Sequence, residues 1–286
     1  MDTQFWLIQT FNGISYGALL FLLASGLSLI FGVMRIVNLA HGSFFLLGGY
    51  VALTVIWTTG SWLLALPVAA ATIAVVGLVM ERVFLRPLGF DPLRQVLLTV
   101  GFAYLFQQAA LDIWGGNNLD ITPPALLTQS WVVGTLHLPV YRIFMIGVAG
   151  VIGLALWLSM ERTRIGAMVR ATVDDAQMAR GVGIDTSRVS MFIFALGAFL
   201  AALGGVVGGA FLGVYPGLDF AILPIAFAVV IIGGMGSLGG AAVGSLIVGL
   251  ADNFGKALFP EISYFTLYAP MVLILALKPT GLFGRE

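Results

Sequence analysis

The chain has 286 residues, of which 60% are hydrophobic and 9% are charged, and it has no cysteine and a formal net charge of zero. This apolar content exceeds what a soluble core buries, and the missing cysteine excludes disulfides and thiolate chemistry. The balanced charge gives no reason to expect a nucleic-acid partner. We expect an all-α polytopic membrane protein in which residues 1–286 form one membrane-spanning domain in a lipid bilayer.

Apolar stretches follow one another along the chain, separated by charged or turn-rich segments. A helix needs about 20 apolar residues to cross the hydrocarbon, so the pattern predicts eight or nine transmembrane helices. The stretches lie at 7–31, 43–58, 62–84, 95–114, 139–160, 189–213, 221–235, 240–256 and 263–277.

The basic residues set the predicted orientation. Arginines cluster in the 81–94 loop and in the 161–188 loop, and loops rich in arginine stay on the cytoplasmic side. Nine spans then put Arg35, Lys278 and Arg285 inside as well. The amino terminus is expected outside and the carboxyl terminus in the cytoplasm, with 115–138 as the largest external loop.

Two interruptions suggest an internal repeat. The stretch 35–42 breaks the first pair of spans, and 213–220 breaks the sixth and seventh. An offset of five spans inverts the second unit, so spans 1–4 and 6–9 are expected to form two inverted four-helix halves with broken helices. The glycine-rich run 233–240 predicts a further turn or re-entrant break.

Few polar side chains fall where they could line a path through the bundle. The candidates are Asn38, His41, Gln107, Gln108 and Asp219. Each also has a simpler interpretation. Asn38 could cap the next helix, His41 could bond a neighbouring helix, the two glutamines could join helices, and Asp219 could be a solvated loop acid.

The 161–188 loop is too long and too patterned for a simple connection. Asp174 and Asp175 are suited to begin a short helix, and Gly181 or Gly183 to end it. Such a helix either docks in the groove of a partner or packs on its own membrane domain.

The sequence lacks the motifs of common nucleotide and metal enzymes. It contains no Gly-x-x-x-x-Gly-Lys-Ser/Thr loop, so any ATP is expected to be used by another chain. The two histidines, His41 and His137, are far apart in sequence and predict no metal site. We expect a non-enzymatic protein that carries no cofactor of its own.

Six ordered blocks resemble the branched-chain amino acid permeases of the Liv type, within the ATP-binding-cassette importers. The blocks are Gly26–Val33, Asn38–Gly42 with Gly48–Tyr50, Glu81–Pro87, Arg164–Ala171, Gly233–Gly240 and Lys278–Gly284. The resemblance covers nearly the whole chain. Small departures, such as Leu39 where phenylalanine is common in that family, leave the substrate open.

The resemblance implies a bacterial cytoplasmic-membrane permease that imports branched-chain or similar amino acids. Its expected partners are a second permease, two cytoplasmic ATP-binding subunits and an extracytoplasmic binding protein. The 161–188 loop would be the ATPase-coupling segment, with its coupling residues at Arg164, Gly166, Arg170, Asp174, Ala176, Gly181 and Gly183.

Other functions compete with this expectation. Inverted halves and broken helices also suit a secondary transporter of small amino acids or amides that is driven by an ion gradient. An intramembrane enzyme or a membrane scaffold explains fewer of the residues. Relatives in the same family move urea or short amides, so the sequence does not fix the substrate.

Overall fold

The computed structural model describes residues 3–89, 91–134 and 136–284, so Arg285 lies outside the described residues. The described part of the chain is almost entirely helical. Its helices are α1 (Thr3–Met34), α2 (His41–Thr59), α3 (Trp62–Val79), α4 (Pro92–Trp114), α5 (Val140–Arg162), α6 (Arg164–Asp174), α7 (Ala176–Gly181), α8 (Thr186–Leu212), α9 (Leu218–Gly233), α10 (Leu238–Leu258) and α11 (Ser263–Leu277).

Each of the nine predicted stretches contains a helix. Within the described residues, seven of these helices are long and apolar enough to qualify as membrane spans, and the run that contains α3 continues to Leu88. Two shorter apolar helices, α9 and α11, occupy the remaining predicted stretches. The chain is therefore an all-α, multi-pass membrane protein.

Capping residues explain where several helices begin. Ser61 accepts a hydrogen bond from the Leu64 amide, and Asp91 accepts one from the Arg94 amide, with Pro92 at the first position of α4. Ser237 accepts one from the Gly240 amide and starts α10. Such caps satisfy amides that have no partner within the helix. The expected turn at 233–240 is confirmed, because α9 ends and α10 begins inside it.

The centre of the bundle consists of α1, α2 and α8, whose side chains are largely buried, whereas α4 and α5 expose most of theirs. Small residues allow the central helices to approach closely. A Cβ atom on Gly48 would lie 2.5 Å from the Ala202 Cα, and one on Gly26 would lie 2.6 Å from the Gly197 carbonyl oxygen. Apolar side chains such as Leu105 and Val151 are exposed on these outer helices.

The packing agrees with two inverted halves. Leu19 meets Gly208 and Gly26 meets Gly197, so α1 and α8 run antiparallel. In the two halves, α1 corresponds to α8, α2 to α9, α3 to α10 and α4 to α11. The observed contacts follow this correspondence: α1 packs on α10 and α8 on α3, α2 packs on α3 and α9 on α10, and α2 packs on α4 and α9 on α11.

The 115–138 loop holds structure that the sequence analysis did not predict. A short antiparallel hairpin joins β1 (Ser130–Val133) to β2 (Leu136–Pro139). Upstream of it, Leu119 pairs with Val214 through two backbone hydrogen bonds of 2.9 and 2.8 Å. This bridge ties the 115–138 loop to the second chain break.

Candidate functional site

The first chain break brings the start of α2 deep into the bundle. His41, its first residue, places Nε2 3.0 Å from the carbonyl oxygen of Leu23. Leu23 precedes the end of α1 at Met34 by 34 − 23 = 11 residues. At 1.5 Å per residue, α2 thus begins about 16 Å back along α1. The segment 35–40 re-enters the bundle instead of turning at the surface.

The second break brings the start of α9 to the same place. Gly217 precedes α9 in a left-handed conformation with φ of 100°. A Cβ atom on Gly42 would lie 2.5 Å from the carbonyl oxygen of Asp219, so the two helix starts touch. Both starts direct the positive end of a helix dipole at this contact. At α9 the Asp219 carboxylate accepts from the amides of Gly217, Asp219 and Phe220, so the start of α2 is the one suited to a further anionic group.

Four buried polar side chains surround this contact, and we call them the polar cluster. They are Asn38, His41, Ser43 and Asp219, each 2% exposed or less. The Ser43 hydroxyl donates to Asp219 Oδ2 at 2.8 Å, and the Ala40 amide donates to Asn38 Oδ1 at 3.1 Å. Three further atoms in the cluster have no hydrogen-bond partner: Asn38 Nδ2, His41 Nδ1 and Asp219 Oδ1. Buried polar atoms are normally paired, so the cluster has donors and acceptors to offer a polar guest.

Aromatic residues continue the line of polar groups along α2 toward its carboxyl end. The Tyr50 hydroxyl, two turns along α2 from Ser43, is also buried without a partner. Its ring stacks on Trp114 with ring centroids 4.9 Å apart. The Trp114 indole donates to the Thr54 hydroxyl at 2.9 Å. The face of α2 that begins at the polar cluster therefore carries further hydroxyl groups as far as Thr54.

An apolar groove of about 530 Å³ opens beside the polar cluster, between α4, α9 and α11. Leu39 and Phe220, the sequence neighbours of Asn38 and Asp219, form one part of its wall. Other lining side chains are aromatic or aliphatic and include Tyr104, Pro224, Tyr268 and Met271. An aliphatic body in the groove would thus lie close to the polar cluster.

The predicted path residues divide into two groups. Asn38, His41 and Asp219 come together in the polar cluster. Gln107 is half-buried on α4, and its Nε2 would lie 3.8 Å from a Cβ atom on Gly217. Gln108 lies on the exposed face of α4 and donates to Asp112 Oδ1 at 2.9 Å, away from the cluster.

One interpretation from the sequence is wrong. Asp219 is not a solvated loop acid, because the second break ends at Gly217 and Asp219 lies buried in the first turn of α9. Ser43 and Tyr50 were not predicted as site residues. The signal for Ser43 was a hydroxyl two residues after His41, but hydroxyls within apolar helices are common and usually bond their own backbone.

The segment between α5 and α8, predicted to be cytoplasmic, contains two helices instead of one. Helix α6 spans Arg164–Asp174, so Asp174 ends a helix and does not begin one. Asp175 caps α7 by accepting from the amides of Gln177 and Met178. The bounds of the loop also shrink, because α5 continues to Arg162 and α8 begins at Thr186.

The predicted coupling residues occupy different environments within this segment. Gly166 packs against the end of α5, where a Cβ atom would meet the carbonyl oxygens of Ser159 and Met160. Arg164 is exposed, whereas Arg170 buries one terminal nitrogen that has no partner. Ala176 begins α7 and Gly181 ends it. Gly183 follows with φ of 89°, a conformation that favours glycine.

Exposed apolar side chains mark the outer face of α7. Met178 is 66% exposed and Val182 is 71% exposed, next to the charged residues Arg180 and Asp175. Together they form a small exposed apolar surface at this end of the bundle. Ala179, which lies between them in sequence, is buried and anchors α7 to the rest of the chain.

Comparisons with known proteins match nearly the whole chain. The family model described as "Branched-chain amino acid transport system / permease component" matches residues 9–275. The branched-chain amino acid permease protein LivH of Escherichia coli K12 is 33% identical, covering all of this chain and 98% of its own length. BraD of Pseudomonas aeruginosa is 30% identical over 98% of this chain and 96% of its own.

A more distant relative belongs to a sugar transporter. The ribose import permease protein RbsC of Escherichia coli K12 is 25% identical over 95% of this chain and 84% of its own length. No solved structure matches the chain.

Proposed function

We propose that this chain is the membrane permease subunit of an ATP-binding-cassette importer in a bacterial cytoplasmic membrane. The proposal starts from its family, because the chain belongs to the permease-component family of branched-chain amino acid transport systems. Its cargo is a branched-chain or similar amino acid. The observation that carries the proposal is the pair of facing helix starts at the polar cluster, beside an apolar groove.

The chemistry of this site suits an aliphatic amino acid. The start of α2 and Asn38 would meet the carboxylate, while the buried carboxylate of Asp219 would meet the ammonium group. The groove between α4 and α9 would accept the aliphatic side chain. Asn38, His41, Gln107 and Asp219 therefore belong to the proposed path, and Ser43 joins them because it holds Asp219.

The exposed face of α4 supports pairing with a second permease subunit. Gln108 and Asp112 bind each other on a helix that otherwise exposes apolar side chains such as Leu105. Polar groups that face lipid are costly, so this face is better suited to a protein neighbour or a water-filled path. Gln108 would then line the path at the interface between the two permease subunits.

The cytoplasmic segment would receive force from two ATP-binding subunits. Its exposed apolar residues Met178 and Val182 supply the contact surface, and Gly166 ties α6 to the end of α5. Arg164, Arg170, Asp174, Ala176, Gly181 and Gly183 complete the proposed coupling set. A binding protein would dock at the opposite, external end, where the β1–β2 hairpin lies.

One observation favours the alternative of a gradient-driven secondary transporter. Buried acids inside a helical bundle are typical of proton or cation relays, and Asp219 is such an acid. The two functions differ in their energy source, which an uptake assay separates.

The test is leucine uptake into proteoliposomes that contain the complete complex, with binding protein outside and ATP inside. The proposal predicts uptake that requires both ATP and the binding protein and survives collapse of ion gradients by ionophores. Uptake that follows an imposed ion gradient without ATP would instead establish the secondary transporter. Complexes with an ATPase subunit that binds but cannot hydrolyse ATP provide the control.

A further inference from the structure

The block Glu81–Pro87 has no role in the proposed path or in the ATPase-facing segment. It contains Glu81 and Arg86, five residues apart, at the end of α3. Glu81 is 2% exposed, although it is a carboxylate near the end of an apolar span. A buried charge needs a partner, so this pair requires an explanation.

A π-helical turn brings the two residues together. On an α-helix, residues five apart point about 140° away from each other. Residues Met80–Leu85 instead form a π-helical turn, in which the Arg86 amide donates to the Glu81 carbonyl. The Arg86 guanidinium then reaches Glu81 Oε2 at 3.3 Å. Single π-turns of this kind are frequent at functional sites.

Arg86 also makes a contact far along the chain. Its Nη2 donates to the carbonyl oxygen of Ser187 at 3.0 Å, 101 residues away and in the first turn of α8. We call Glu81, Arg86 and the Ser187 carbonyl the latch. It joins the end of α3 to the start of α8, immediately after the coupling segment that contains α6 and α7.

A cavity beside the latch leaves the coupling segment room to move. It has a volume of about 420 Å³ and lies between Gln95 on α4, Thr172 on α6 and Ala176 on α7, with Glu81 and Arg86 in its wall. A displacement of α7 therefore reaches α8 directly through the chain at 182–185. The latch adds a polar contact between the ends of α8 and α3, which also pack on each other along their length.

We infer that the latch makes the cytoplasmic ends of α3 and α8 move as one unit when the coupling segment is displaced. Arg86 is thus a positioning residue for transport, held in place by Glu81. The inference rests on the proposed ATP-driven function. The two helices belong to opposite halves of the bundle, so the latch transmits one cytoplasmic movement to both halves.

The test compares Arg86→Ala with wild type in the same proteoliposomes, measuring leucine taken up per ATP hydrolysed. We expect Arg86→Ala to lower this ratio about tenfold while the complex continues to hydrolyse ATP. Arg82→Ala is the matched control, because Arg82 lies exposed in the same π-turn and carries the same charge. It should retain the wild-type ratio.

A conservative variant separates transmission from folding. Arg86→Lys keeps a positive charge for Glu81 on a shorter side chain, so the complex should assemble and recover part of the ratio. A wild-type ratio in Arg86→Ala, or in Arg86→Lys should Arg86→Ala fail to assemble, would overturn the inference. Wild-type complex that takes up leucine without ATP would contradict the proposed function instead.

Discussion

Asp219 brings a carboxylate into the bundle, and Ser43 is its side-chain donor at 2.8 Å. A hydrogen bond to a buried charged group is worth more than one between neutral groups, because the charge has lost its water. Gly42 allows this contact, since any side chain there would meet the backbone of α9. The polar cluster thus depends on two neighbouring residues, one that binds and one that leaves space.

Removal of the Ser43 hydroxyl should therefore damage both stability and transport. Ser43→Ala leaves the Asp219 carboxylate without this donor, and we expect the free energy of unfolding to fall by about 1–3 kcal/mol. Leucine uptake should fall with it. Thermal denaturation in detergent and uptake in vesicles measure the two effects. Ser159→Ala, at an exposed position on α5, is the control. If Ser43→Ala kept the stability and uptake of this control, the bond to Asp219 would contribute to neither.

The crossing of α2 and α8 depends on backbone contact. A Cβ atom on Gly205 would overlap the carbonyl of Phe45, and Gly48 on the facing helix meets Ala202 in the same way. Close contact of this kind replaces the hydrophobic effect as the source of helix association in lipid. Several glycines of this chain are therefore packing positions and not flexible joints.

We expect Gly205→Val to prevent the close crossing. Overpacking in a filled core costs about 1–3 kcal/mol, and a contact with backbone leaves little room to adjust. The variant should show a lower melting temperature and lower yield in detergent. Gly150→Val is the matched control, because nothing lies within 4 Å of a Cβ atom at Gly150 on α5. If both variants were equally stable, the packing role of Gly205 would be wrong.

Elements were easier to predict than the contacts between them. Hydropathy alone located every span, because lipid requires about 20 apolar residues in each crossing. The β1–β2 hairpin and α6 were missed, since short segments at the membrane surface carry weak patterns. The two-helix coupling segment also shows why Asp174 was misplaced. Asp174 and Asp175 are adjacent and both suit a helix start, but only Asp175 has the capping geometry.

For the whole molecule, the distribution of basic residues predicts the orientation of the chain in the membrane. Arginines crowd one end of the bundle, and the side chains at the other end include Arg142 and Lys256. Arg142 is held there by the Asn12 side chain at 2.6 Å, and Lys256 by Asp252 at 2.7 Å. Asp252 neutralises Lys256 there, whereas Arg142 keeps its charge beside an uncharged amide.

Labelling of single cysteines tests this orientation, and the absence of native cysteine makes each introduced thiol unique. Leu126, 78% exposed in the 115–138 loop, and Phe283, 51% exposed after α11, are suitable sites. In right-side-out vesicles, an impermeant maleimide should label Leu126→Cys at once and Phe283→Cys after permeabilisation. The opposite pattern would reverse the assigned topology.

The site shows most clearly what sequence alone leaves out. Asn38 and Asp219 were candidates because each lies at a chain break, but their meeting depends on the pairing of two inverted halves. Ser43 and Asp219 are separated by 176 residues, and Arg86 and Ser187 by 101. One sequence supplies local patterns at each of these positions. It does not show which distant positions face each other.

The most direct test of ATP-driven import through the coupling segment is leucine uptake per ATP hydrolysed, in wild-type and Gly183→Arg complexes. Gly183 has φ of 89°, where a side chain costs about 1–2 kcal/mol and would distort the connection from α7 to α8. Gly239→Arg is the control, because Gly239 is exposed and nothing lies within 4 Å of its Cβ position. We predict ATP-dependent uptake in wild type and Gly239→Arg, with loss of uptake per ATP in Gly183→Arg. Equal ratios in all three complexes, or leucine uptake without ATP, would contradict the account.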